Sequence, residues 1–359
     1  MSKGKIIGII FIILIIMVIV VLGCSFAWYN SNLKPLNSSK DGIRVEIPEG
    51  TGVSKIANIL EENEIIRNAT AFKIYCRFNN ITKLQAGKYE LIPGESVAVI
   101  AEHIANGDVA SDEVTITFIE GKNIDWYAKE IAKKTNNTEQ DVYNLLEDEA
   151  YIDSLIEKYW FLKDEIKDDR IYYPLEGYLL PDTYTFENED VSVKTIFNVI
   201  LNYMDKYLST KKDEFKYTYH QTLTLASLAE LEGKSLEDRK EIIGVFFNRI
   251  AEKMSLGSDV TAYYAFRVNM AESNLTKEQL NTYNPYNTRY PGLEMAGKLP
   301  VGPICNPSKD AIEAALAPTQ TDALYFVADK NGKVYFTKSN DEHNAKIAEL
   351  KKEGLWFTY

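Results

Sequence analysis

The sequence predicts an α+β protein: a single N-terminal transmembrane helix, then a small α/β module, then a larger mixed α+β domain built round a central helical hairpin. Three observations predict it. They are an uncharged apolar run near the N-terminus, short strand–turn–helix cycles after it, and a long helical stretch interrupted by one glycine. The chain has 359 residues, which suits two globular domains at roughly 150 residues each. Apolar residues make up 45% and charged residues 26%, the balance of a folded body rather than a disordered one.

Residues 6–28 read IIGIIFIILIIMVIVVLGCSFAW, without a charge. At roughly 1.5 Å per residue such a helix crosses a hydrocarbon core of about 30 Å. Lys3 and Lys5 precede it and no acid does, so the positive-inside rule leaves the N-terminus in the cytoplasm and places the rest outside. Trp28 and Tyr29 suit the membrane interface. The run is longer than the apolar core of a signal peptide and no A-x-A site follows, which favours an uncleaved anchor. A lipoprotein reading rests on VLGC at Val21–Cys24, where Leu22 is a poor residue.

The net charge is −12 and no basic block follows the anchor, so the phosphate-neutralising footprint of a nucleic-acid binder is missing. Cys24, Cys76 and Cys305 are an odd number at no metal-ligand spacing, so no disulfide framework and no cofactor is expected.

NSNLKPLNSSKDG, residues 30–42, is polar and turn-rich and is expected to be a linker lifting the body off the bilayer. Three cycles follow, at 43–60, 86–107 and 114–132, each an apolar strand, a turn with Glu or Gly, and a helix with an Ile-Ala pair. They read either as plain packing units or as a carbohydrate-binding module. Domains are therefore expected at 1–41 (tail, span and linker), 42–112 (the module) and 113–359. Residues 137–167 read as a solvated helical connection, and YYPLEGYLLPDTYTF, 172–186, as an ordered loop of the kind that lines sites. LYFVAD, a Lys-Asn-Gly-Lys turn and VYFT predict a β-hairpin near the C-terminus.

The chemistry is expected at LTLASLAELEG, 223–233. No charge occurs there before Glu230, so the helix is buried and Glu230 is a carboxyl set into a core, with Leu223, Ala226 and Ser227 on its face. Gly233 stops the helix, which puts Glu230 at the negative end of the dipole; that and burial are the conditions for a raised carboxyl pKa and a general acid. A core glutamate paired with Arg239 or Arg249 fits the same residues. Ser235 and Asp238 form a capping box that starts the next helix. Downstream, LGSDVTAYY and NPYNTRYPG set aromatic rings beside Asn, Thr and Asp, as sugar binding needs.

The order of EGYLLPDTYTF, LASLAELEG, GVFFNRI, SDVTAYY, YNTR, LPVGPICNP and the EHNAK run at Glu342 resembles the YceG-like family of endolytic murein transglycosylases, the MltG type, over essentially the whole chain. The sequence departs from the pattern in Val260, where Pro is usual, and in extra residues ahead of LPVGP. The resemblance implies that Glu230 is the catalytic acid and base and Glu232 a supporting acid, and that the 42–112 module is LysM-like. It implies cleavage of the MurNAc-GlcNAc bond of peptidoglycan glycan strands without water, leaving 1,6-anhydro ends and terminating nascent strands, with cell-wall synthases as partners. Asp259, Thr261, Tyr286 and Asn287 are the candidates for holding the sugar. The alternative is a non-catalytic, membrane-anchored peptidoglycan-binding scaffold.

Overall fold

A computed structural model of the chain describes residues 3–110 and 112–356, with side chains from residue 8 onward. The expected cytoplasmic end, Met1 and Ser2 with the side chains of Lys3 and Lys5, lies outside the described residues. The chain divides into two compact units, Met1–Asp112 and Glu113–Tyr359.

The first unit opens with α1, Lys3–Asn32, whose stretch Gly8–Asn32 is long and apolar enough to cross a membrane. Its apolar side chains lie exposed all round, as a helix solvated by lipid requires. Then come β1 (Ile43–Ile47), α2 (Val53–Glu62), α3 (Ala69–Phe78), β2 (Gly87–Leu91) and α4 (Val97–Asn106). β1 and β2 pair antiparallel, with Val45 opposite Tyr89, and alternation along both strands turns Val45, Ile47, Tyr89 and Leu91 inward. Ile56, Leu60, Phe72, Ile100 and Ile104 from the helices close this core. Two of the three cycles thus lie here. α3 escaped the sequence reading, because its apolar residues are interleaved with Lys73 and Arg77.

The expected spacer after the span is not free chain. α1 runs on to Asn32, Leu33 packs on the core of the unit, and its carbonyl accepts from Val97 N at 3.2 Å. Leu36 N donates to Pro93 O at 3.0 Å, and the Arg67 guanidinium forks onto the carbonyls of Pro35 and Leu36 at 2.6–3.0 Å. Polar composition marked a linker; backbone hydrogen bonding made it part of the unit.

The second unit holds β3 (Val114–Thr117), α5 (Ile124–Lys134), α6 (Glu139–Glu147), α7 (Glu149–Lys158), β4 (Thr183–Phe186) and α8 (Val193–Ser209). It continues with α9 (Tyr219–Glu232), α10 (Leu236–Ala251), α11 (Asp259–Ala265), α12 (Lys277–Leu280), α13 (Lys309–Leu316), β5 (Tyr325–Ala328), β6 (Val334–Thr337) and α14 (Asn340–Lys352). β3 pairs antiparallel with β4, so the end of the expected 172–186 loop is a strand. The 137–167 connection is also less solvated than expected: Val142, Leu146, Tyr151, Ile152 and Leu155 are buried in the main core. β5 and β6 pair antiparallel across the turn at Asp329–Lys333, whose amides at Asn331 and Lys333 donate to the Asp329 carboxylate.

α9 carries the candidate acid Glu230. A Thr218–Gln221 capping box starts it, and residues 222–229 are all buried. α10 and α13 pack against it. At about 1.5–3 kcal/mol for each large apolar side chain removed from water, Leu223, Leu225 and Leu228 alone make α9 a major part of the core.

Candidate active site

Glu230 lies in the last turn of α9, and the structure gives it close partners. The Arg239 guanidinium donates from Nη2 to Glu230 Oε1 at 2.8 Å, with the two side chains 10% and 7% exposed. Ser308 N donates to Oε2 at 2.9 Å, and the Ser308 hydroxyl donates to the same oxygen. Ser308 Oγ in turn accepts from Arg239 Nη1 at 3.2 Å and from Ala311 N at 3.2 Å, which uses both of its lone pairs. Of the two partners open in the sequence, Arg239 is the one observed; Arg249 instead donates to the Leu324 and Leu256 carbonyls.

Local sequence explains the clamp. Gly233 follows α9 in an extended conformation, φ −117° and ψ 140°. A Cβ there would stand 2.9 Å from Arg239 Cγ and 3.1 Å from Arg239 N, so any larger residue would have to push Arg239 aside as α10 turns back. The Ser235–Asp238 capping box then starts α10 and carries Arg239 under the end of α9, where its Nε donates to Gly233 O at 3.0 Å. Ser308 is the N-cap of α13. Glu230 thus sits at the C-terminus of its own helix and at the N-terminus of another, and the dipole argument from α9 alone omitted the second.

The face of α9 beside Ser227 is covered by the segment that leads to Ser308. Ile304 N donates to Ser227 Oγ at 3.1 Å, and the Cys305 thiol donates to Ser227 O. The same segment bonds the turn after β3: Gly121 N donates to Asn306 O and Asn306 N to Lys122 O, both at 2.9 Å. Gly121, at φ +72°, passes so close that a Cβ would lie 3.5 Å from Glu230 Cγ. Its neighbour Glu120 keeps much of its surface in solvent, and its carboxyl is raised above the usual range, first by partial desolvation and then by the charge of Glu230. Glu120 is the nearby acid that sequence reasoning missed; its signal was the Glu-Gly turn common to the cycles.

Glu176 was missed as well. It is 1% exposed, faces no basic side chain within hydrogen-bond reach among the described residues, and is pushed up to about 8 by burial. Ile124 N, the Tyr264 hydroxyl and Asn306 Nδ2 donate to it at 3.1–3.3 Å. Asn306 Oδ1 accepts from Gly177 N and Leu179 N at 2.9 and 3.1 Å, so this asparagine ties the 176–179 turn to the segment that bears Ser308.

The other expected residues separate into two kinds. Glu232, at the α9 terminus, accepts from Ser258 Oγ at 2.5 Å, and burial pushes its carboxyl up to about 7. Asp259 is solvent-exposed and pairs with Arg289 at 3.0 Å. Thr261, Tyr286 and Asn287, by contrast, are fully buried. Thr261 Oγ1 donates to Ser258 O at 2.7 Å, the Tyr286 hydroxyl accepts from Tyr172 N, and Asn287 Nδ2 donates to the Thr282 carbonyl at 2.9 Å. Their polar atoms are buried and bonded within the chain, where they brace loops. A cavity of about 680 Å³ opens further along α9, lined by His220, Gln221, Leu225, Phe247, Lys298 and Val301, with none of the expected site residues on its wall.

Comparison with known proteins places these features in a family. A family model described as YceG-like matches residues 45–349. The chain is 35% identical over 331 residues to a Bacillus subtilis protein named endolytic murein transglycosylase, covering 90% of this chain and 89% of that one. A Streptococcus pneumoniae protein of the same name is 33% identical over 337 residues, which are 89% of this chain and 60% of that longer protein. A crystal structure of a YceG-like protein from Listeria monocytogenes superposes with a TM-score of 0.61 at 37% identity, covering 86% of this chain and all of that one. With the match running through the first unit, the α9–α10 turn and the Ser308 segment alike, the chain belongs to the YceG-like family.

Proposed function

We propose that this chain is a membrane-anchored murein transglycosylase that cuts peptidoglycan glycan strands at the MurNAc-GlcNAc bond, with Glu230 as its acid and base. The reading is supported by the names of the relatives and by one observation above the others: a nearly enclosed carboxyl whose position is fixed from three segments, α9, α10 and the N-cap of α13. Glu230 protonates the glycosidic oxygen, then takes the proton of the muramyl 6-hydroxyl as that oxygen closes on C1, leaving a 1,6-anhydro end. Because the nucleophile belongs to the substrate, one carboxyl suffices where most glycosidases use two. A proton on Oε1 would stand where Arg239 Nη2 now donates, so Arg239 gives up that bond when the acid is loaded.

Glu120 lies close enough to feel the charge of Glu230, Glu232 supports the end of α9 through Ser258, and Asp259 with Arg289 offers an exposed polar rim. The 42–112 module binds glycan in a LysM-like manner. The anchor runs N-in, placing both globular units outside the cytoplasm, where nascent strands and their synthases are found; the activity terminates such strands. The test is incubation of purified glycan strands followed by mass spectrometry. Anhydro-ended products are expected, and reducing ends would make the chain a muramidase instead.

A second reading, the non-catalytic scaffold, draws on the same ion pair: Glu230 and Arg239 are both nearly out of solvent, as in a structural core pair. It requires that no cleavage occur while the folded protein is retained on murein.

A further inference from the structure

The end of α1 and the C-terminal end of α3 share an apolar surface that the globular core does not use. Phe78, the last residue of α3, is 76% exposed. Its ring stands edge-on to that of Tyr29 with centroids 6.4 Å apart. Between the two helices runs a groove of about 780 Å³ lined by Leu22, Phe26, Trp28, Tyr29, Ile74 and Phe78. A soluble unit has no use for a bare phenylalanine beside an exposed indole; an exposed patch of this kind marks a contact surface.

The occupant follows from the chain's own continuity. Residues 6–25 already fill a hydrocarbon core of about 30 Å, so Phe26–Tyr29 stand at the membrane interface. The unit cannot drift from that level, because Leu33 is packed on its core and the carbonyls of Leu33, Pro35 and Leu36 are held by Val97 N and Arg67. No flexible spacer separates the ring of Tyr29 from that of Phe78. α3 also has the chemistry of an interfacial helix: Ile74 and Phe78 lie toward α1, Lys73 and Arg77 are its charged residues, and it carries no acid.

We propose that the first globular unit sits on the bilayer surface, with Ile74 and Phe78 of α3 inserted among the lipids beside Trp28 and the bases of α3 at the headgroups. This rests on the reading of α1 as a membrane span. It fixes the 42–112 module at the membrane rather than at the end of a tether, so the glycan it takes is one lying against the bilayer.

The test uses the full-length chain in proteoliposomes with lipids brominated at a shallow acyl position. Wild-type protein and Trp28→Phe are compared first; loss of the bromolipid-quenched emission on replacing Trp28 establishes the span. Phe78→Trp is then made in the Trp28→Phe background, where the other native indoles, Trp126, Trp160 and Trp356, lie in the second unit. Emission gained from Phe78→Trp is expected to be quenched by bromolipid about as strongly as that of Trp28 and to resist aqueous iodide. Quenching by iodide with none by bromolipid, while Trp28 is quenched by lipid, overturns the seating and leaves the anchor standing. Shielding from both quenchers means a second protein surface covers the patch, which also overturns it. If Trp28 itself escapes bromolipid, the span and the seating fail together.

Discussion

Glu230 and Glu176 are two carboxyls withdrawn from water and tied to the same stretch of chain, one through Ser308 and the other through Asn306, yet they are held in opposite ways. Glu230 has a guanidinium on one oxygen and two donors from Ser308 on the other. Glu176 has only neutral donors, from Ile124 N, the Tyr264 hydroxyl and Asn306, and burial outweighs them, so its carboxyl is pushed up to about 8. Removing a carboxylate from water costs several kcal/mol unless a counter-charge is supplied. The fold spends its one buried arginine at the end of α9 on Glu230 and lets Glu176 carry a proton through the neutral range. A protonated Glu176 serves as a hydrogen-bonded brace, whereas Glu230 has a guanidinium facing one oxygen and the Ser308 donors facing the other.

The largest effect should come from breaking the charged member of this pair. Glu230→Gln keeps the size but cannot exchange the proton, so anhydro-product formation should fall on the order of 10²–10⁴-fold. The same variant should also lose about 1–3 kcal/mol in urea unfolding, since Arg239 keeps at best a neutral acceptor. Wild-type turnover in Glu230→Gln would remove the catalytic assignment. Next comes Arg239→Met, which strands Glu230 without its cation. A loss of about 3–5 kcal/mol is expected, and the double variant with Glu230→Gln should recover part of it. Strict additivity of the two would mean the ion pair contributes nothing.

What the sequence made legible follows from the range of the interactions involved. Local patterns placed α1, the strand–helix cycles, α9, α10 and the β5–β6 hairpin, because periodicity, Gly233, the Ser235–Asp238 box and the Asp329 turn act within a few residues. Glu230 stood out because an acid interrupts a run of buried positions. Its Ser308 partner was not legible, since Ser308 comes from 78 residues away and reaches it only through tertiary packing. Glu176 was passed over for the same reason: its donors are 52 to 130 residues distant. Thr261, Tyr286 and Asn287 are buried with their polar groups bonded within the chain, a placement the sequence did not show because polar and aromatic loop sequence looks alike whether its groups face a ligand or one another.

The neutral brace can be sharpened by pH. The Glu176 carboxyl is raised from 4.5 to about 8 in the folded chain, so between those values the folded state holds a proton that the unfolded state has released. Its contribution is therefore fully present below about pH 4.5 and is lost as pH rises to about 8, by an amount on the order of 3–5 kcal/mol. Glu176→Gln mimics the protonated form and should remove this slope, gaining on wild type most at pH 8. A wild-type profile already flat from pH 5 to 8, and unchanged in Glu176→Gln, would show that Glu176 is ionised and that the contrast with Glu230 is wrong.

Glu232 gives the smallest effect and the finest test, because it lies two residues from Glu230 on the same helix yet has no salt-bridge partner among the described residues. It accepts from the Ser258 hydroxyl at 2.5 Å, and its carboxyl is raised from 4.5 to about 7, by burial first, with Asp259 adding to the rise and Arg249 and Arg289 opposing it. The sign is that of Glu176: a bound proton stabilises the fold below about pH 4.5, and the gain is gone by about pH 7. Part of Glu232 reaches solvent, so the change should be on the order of 1–3 kcal/mol. Glu232→Gln should thus flatten the stability profile between pH 5 and 7 and leave it parallel to wild type above pH 7, while Glu176→Gln still separates from wild type up to pH 8. If Glu232 only supports the α9 terminus, turnover in Glu232→Gln should stay within about tenfold of wild type, far from the loss in Glu230→Gln. A loss as deep as that of Glu230→Gln, with the fold intact by urea unfolding, would move proton transfer to Glu232 and leave Glu230 as the structural partner of Arg239.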